Sequence, residues 1–154
     1  MDSDFTEDVG IKFSNCSYWD IDGLKFCGYT GAAIWSTGGS SYITMENLEI
    51  WDIDNPAFHI SGTEGILSDG DYHTLKNCYI HDIGQTLCER ADNGVYIGYG
   101  SDHWIIDSNR FENIPGGGIN LYGKPTGGDY STITNNVVIN SMFGMVLTMS
   151  EPSR

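Results

Sequence analysis

Apolar positions along this chain fall in short alternating runs separated by Gly, Asn, Asp and Ser turns, without a helical period. Five windows align without gaps: "IDGLKF" from Ile21, "MENLEI" from Met45, "LKNCYI" from Leu75, "IDSNRF" from Ile106 and "ITNNVV" from Ile133. The first and last positions are always large and apolar, and the third is Gly, Asn, Asn, Ser, Asn. Three residues upstream stands an aromatic column: Tyr18, Tyr42, Tyr72, His103, Tyr130. A second block follows each window: "AIWS" from Ala33, "AFHI" from Ala57, "GVYI" from Gly94, "GINL" from Gly118 and "GMVL" from Gly144. A small residue, then apolar, variable and usually apolar again, predicts a strand entered through a tight turn.

Successive windows begin 24, 30, 31 and 27 residues apart. Such a unit cannot bury its own apolar face, so neighbours must stack. Three short strands per turn, piled in register at about 4.8 Å, predict an all-β parallel β-helix of about five coils with three short parallel sheets. Stacking explains why one residue type recurs at one point of every unit, which an antiparallel sandwich would not require. The Asn of the third position is expected to be buried in its turn, its amide serving backbone groups of the coils above and below. The whole chain, 1–154, reads as one domain, with 1–10 and 149–154 as incomplete coil ends. No cap is legible at either end, which predicts continuation into a larger β-helix or end-to-end self-association.

The "N-N-x-V" run at Asn135–Val138 and the "G-I-x-L" run at Gly118–Leu121 resemble the right-handed parallel β-helix repeat of pectate-lyase-like proteins. The resemblance spans residues from about 11 to 148. It implies that the "G-I-x-L" strand lines a substrate groove and that the Asn column lies in the turn between the other two sheets. It also implies an extracellular, carbohydrate-active protein, a polysaccharide lyase or glycoside hydrolase. The same repeat serves non-catalytic adhesins and tailspikes, so fold alone does not fix activity.

Composition narrows the partners. A 40% hydrophobic content is too high for a disordered chain. No run of 18 apolar residues spans a membrane, and no signal peptide is visible. The net charge of −14, from 21 acidic and 7 scattered basic residues, argues against nucleic acid. Cys16, Cys27, Cys78 and Cys88 fit no metal spacing and leave disulfides and free thiols both open.

In the groove strand the variable residue points outward, giving a column of Trp35, His59, Tyr96, Asn120 and Val146. Rings in a row suit sugars, which present apolar CH faces and hydroxyls. Length changes fall only beside the groove strand, in "SGTEGILSDGD", "GQTLCERAD" and "YGKPTGGDY", as expected of a binding face. Expected substrate contacts are Trp35, His59, Tyr96, Tyr99, Asn120 and Tyr122. His59, Arg90, Asp92 and Tyr96 are the catalytic candidates, with Arg90 neutralising substrate charge and His59 or Tyr96 moving a proton. Asp54, Asn55, Asp92 and Asn93 are the candidate ligands for calcium, the one cofactor expected. The acidic balance disfavours a polyanionic substrate unless metal is present; a neutral glycan avoids that difficulty. His81 falls on another face and ranks below His59, while His73 is expected near the core.

Overall fold

The computed structural model describes residues 9–53, 64–68, 70–84, 92–98, 101–122 and 130–148. Its strands pair in parallel throughout and stack as a solenoid. The groove ladder contains β1 (Val9–Ser14), β4 (Ala32–Thr37), β7 (Glu64–Ser68) and β10 (Asn93–Ile97), followed by the second halves of β12 (Arg110–Tyr122) and β14 (Val137–Thr148). The second ladder holds β2 (Ser17–Asp22), β5 (Ser41–Glu46), β8 (Thr74–Lys76), β11 (Ile105–Asp107) and β13 (Thr132–Thr134). The third holds β3 (Lys25–Cys27), β6 (Glu49–Ile53), β9 (Tyr79–Ile83) and the first halves of β12 and β14. Because β12 and β14 run through both, the groove and third ladders form one nine-stranded sheet facing a five-stranded one. β12 makes the corner at a register shift between Ile114 and Gly117, around Pro115.

Inward residues build a core of vertical columns. Phe26, Ile50, Ile80 and Phe111 form one, Ile21, Met45, Leu75 and Ile106 another, and all are buried. Each fully buried aliphatic side chain stabilises the fold by about 1.5–3 kcal/mol. At the last described coil the inward positions Met145 and Leu147 are 46% and 52% exposed, whereas their column mates Ile119 and Leu121 are buried at 1% and 2%.

Corners explain the polar columns. Gly23, Asn47, Asn77, Ser108 and Asn135 all sit at positive φ, the left-handed conformation that Gly and Asn tolerate best. They are exposed, so the buried amide expected at this position is not there. It lies one residue later. Asn109 Oδ1 accepts the Cys78 backbone N–H at 2.8 Å, and Asn136 Oδ1 accepts that of Asn109 at 2.9 Å. Their amide nitrogens donate to the Leu75 and Ile106 carbonyls. The third residue supplies the backbone turn and the fourth satisfies the backbone groups that the turn leaves unpaired.

The upstream aromatic column is also left-handed, with φ of 65°, 56°, 55°, 60° and 57° at Tyr18, Tyr42, Tyr72, His103 and Tyr130. Successive rings stack at 4.9, 4.8, 4.4 and 4.9 Å. Each stack contributes about 0.5–1.5 kcal/mol, enough to offset most of the roughly 1–2 kcal/mol of a left-handed non-glycine residue. A third corner carries Asp52, Asp82, Asn113 and Asn140, again at positive φ, with Asn113 donating to Asp82 at 2.9 Å and Asn140 to Asn113 at 2.8 Å. Cys16, Cys27 and Cys78 are free thiols, and Cys88 lies outside the described residues.

Candidate functional site

Register fixes the outward face of the groove ladder. Lys12 pairs with Trp35, Trp35 with Leu67, Leu67 with Tyr96, Tyr96 with Asn120 and Asn120 with Val146. Trp35, Tyr96 and Asn120 therefore share one column, as the alternating pattern predicts. The second-coil assignment needs correction. Glu64–Ser68, not Ala57–Ile60, is the groove strand there, and Leu67 takes the rung expected for His59. "AFHI" and "EGIL" carry the same small-apolar pattern, and the ladder takes the second.

The corrected register sets two long connections, 54–63 and 85–91, ahead of neighbouring groove strands β7 and β10. Asp54, Asn55, His59, Arg90 and Tyr99 lie in segments outside the described residues. Tyr122 closes β12 at the far end of its groove half. Asp92 and Asn93 begin the turn into β10 and are buried, each 2% exposed. Asp92 packs against Gly84 and Gly116, and its carbonyl accepts the Gly117 N–H at 3.1 Å. Both thus stand beneath the corner, not on the outward column with Tyr96.

On the column itself, the Lys12 ammonium lies 3.7 Å from the centroid of the Trp35 ring, a cation–π contact. Asn120 Oδ1 is screened from water and has no hydrogen-bond partner among the described residues. Behind them Ile34, Val95 and Ile119 are buried, so the displayed side chains stand on a rigid wall. Small residues keep that wall flat. A Cβ on Gly94 would come within 2.6 Å of the Phe111 ring and 2.7 Å of the Gly118 carbonyl oxygen.

The third ladder carries a denser polar network that sequence reading had ranked below the groove. Tyr79 OH donates to Glu112 at 2.9 Å, and Arg110 grips the same carboxylate oxygen at 2.7 and 3.0 Å. Hydrogen bonds from Arg110 and Tyr79 hold the Glu112 carboxyl below its usual range, while Glu112 raises the Tyr79 phenol. His81 is stacked on Tyr79 and Trp51, with Nδ1 2.6 Å from Asp82 and Nε2 3.7 Å from Glu49, which pairs with Lys25 at 2.6 Å. Contact with Lys25 lowers the Glu49 pKa, and the His81 bond lowers that of Asp82. The signal was available: "EIW", "YIH" and "RFE" alternate polar or aromatic residues around one apolar position. Ion pairs, hydrogen bonds and ring stacks here link four coils, which makes this face a brace between coils.

A stack of parallel strands with recurring corner residues and an outward ring column defines the class: a parallel β-solenoid. A family model of right-handed β-helix regions matches residues 9–153, and the chain belongs to that family. The pectate-lyase-like resemblance is consistent with this membership. No curated protein and no solved structure matches the chain significantly.

Proposed function

We propose that this protein binds an extended polysaccharide along the outward face of its groove ladder, as an extracellular β-helix. The observation that carries the reading is the register that sets Trp35, Tyr96 and Asn120 in one column. Rungs repeat at about 4.8 Å, close to the rise of one sugar in an extended glycan, so each coil can meet a sugar unit. Indole and phenol rings offer faces to the CH side of a sugar, and the amide offers a partner to its hydroxyls. Depolymerising chemistry would further require a proton-transfer group at the scissile bond. His59 and Arg90 are the residues proposed for it.

Affinity electrophoresis of the intact chain through gels containing soluble polysaccharides tests the reading. Retardation by at least one glycan is expected, weakened about tenfold by Trp35→Ala or Tyr96→Ala. Tyr42→Ala, on the corner ladder, should leave it unchanged. Equal retardation of all three variants would remove the groove from the account. Release of reducing ends or unsaturated products, lost in Arg90→Ala and His59→Ala, would add catalysis.

A further inference from the structure

We infer that the glycan held on this face is neutral; the inference rests on the groove reading and names its ligand class. The column presents one cation, Lys12, and its ammonium is already committed to the Trp35 ring at 3.7 Å. The corner bordering the groove after β7 and β10 carries Asp71 and Asp102, joined by an Asp102 N–H to Asp71 Oδ1 bond of 2.8 Å. Among its described residues that border has no Lys or Arg. Asp92 and Asn93, which would have to face a calcium-bridged uronate, are buried beneath the corner instead. The chain as a whole carries −14. A polyuronate would bring one negative charge per sugar into this field, where repulsion acts over a Debye length of about 8–10 Å.

Asn120 adds an uncharged amide to the same column. Trp35 and Tyr96 contribute ring surface, whose attraction to CH groups does not depend on ligand charge.

The test compares gels containing a linear mixed-linkage glucan, a linear mannan, polygalacturonate and chitosan, at about 20 mM and about 500 mM salt. A neutral polymer should retard the protein about equally at both salt levels, and Trp35→Phe should preserve more of that retardation than Trp35→Ala. Stronger retardation by polygalacturonate or chitosan, falling with salt, would overturn the neutral assignment while leaving the groove in place. Retardation by none of the four would overturn both. Thermal melting of each variant confirms that a loss reflects binding and not unfolding.

Discussion

The His73 ring, wholly buried, meets the Ser36 hydroxyl at 2.9 Å through Nε2, while Nδ1 accepts the Ile43 backbone N–H at 3.3 Å. Nδ1 is therefore unprotonated and Nε2–H donates to Ser36, a neutral imidazole joining the groove and second ladders. Trp104 packs edge-on against it at 4.9 Å, with its indole N–H on the Gly70 carbonyl.

Acid should weaken the fold through this residue. Burial pushes the His73 pKa down to about 4 from an ordinary 6.5. The unfolded chain then binds a proton that the folded chain refuses, so the contribution is complete above pH 6.5 and is lost as pH falls toward 4. The slope is about 1.4 kcal/mol per pH unit, and the total reaches about 3 kcal/mol. Carboxylates held low, such as Glu112 and Asp107, act in a separate window below about pH 4.5. Urea midpoints at pH 7 and pH 5 should differ markedly in the wild type and much less in His73→Gln. Parallel pH profiles in the two proteins would refute the assignment.

Removing the buried amide at Asn109 should be costly. Asn109→Ala strands the Cys78 N–H and the Leu75 carbonyl in a buried site, for a loss of about 2–4 kcal/mol. One coil below, Cys78 does the same work with weaker groups: its thiol accepts the Leu48 N–H at 3.5 Å and lies 3.7 Å from the Met45 carbonyl. Desolvation raises that thiol pKa to about 11, so it stays protonated as a donor. Cys78→Asn extends the amide ladder and should be neutral or stabilising by about 1 kcal/mol, whereas Cys78→Val should lower the melting temperature. Chemical denaturation of the three variants decides the matter.

The stacked corner offers a test with an unusual sign. Tyr72 lies at φ 55° between Tyr42 and His103. Truncation to Ala removes two stacks and leaves a Cβ in the left-handed region; truncation to Gly removes the same stacks but relieves the strain. Tyr72→Gly should thus be more stable than Tyr72→Ala by about 1 kcal/mol, the reverse of the order in a regular strand. An Ala variant as stable as the Gly variant would show that the corner does not hold this backbone conformation.

Most of the fold was legible because stacking forces repetition. Tyr18, Tyr42, Tyr72, His103 and Tyr130 could be aligned from sequence because each faces the next, and the columns appear in the structure as read. The role of the Asn column was misplaced by one residue because periodicity marks a turn without saying which of its residues faces inward. The second-coil groove strand was misread for a different reason. Ala57–Ile60 and Gly65–Ser68 satisfy the same apolar pattern, and periodicity alone does not choose between them. Lateral contacts were the least legible: the Tyr79–Glu112–Arg110 cluster depends on side chains reaching across coils, where spacing in sequence says little.

The small-residue column of the groove ladder gives a paired prediction in which one substitution has two outcomes. Gly94 and Gly144 occupy equivalent positions entering the groove strand, and both read alike in sequence. At Gly94 a methyl group would meet the Phe111 ring, the Gly118 carbonyl oxygen and Ile114 within 2.9 Å, and a carbonyl of the neighbouring coil cannot withdraw without breaking its ladder. Overpacking of this kind costs about 1–3 kcal/mol. At Gly144 no described residue lies within 4 Å of the same methyl, and its φ is not positive. Gly144→Ala should then be neutral or stabilising by about 0.4–1 kcal/mol, through the lower entropy of the unfolded chain. Differential scanning calorimetry of Gly94→Ala and Gly144→Ala in parallel should show a clear drop in melting temperature for the first only. Similar drops in both would mean that a further layer already covers Gly144, and that the last described coil packs as tightly as the interior ones.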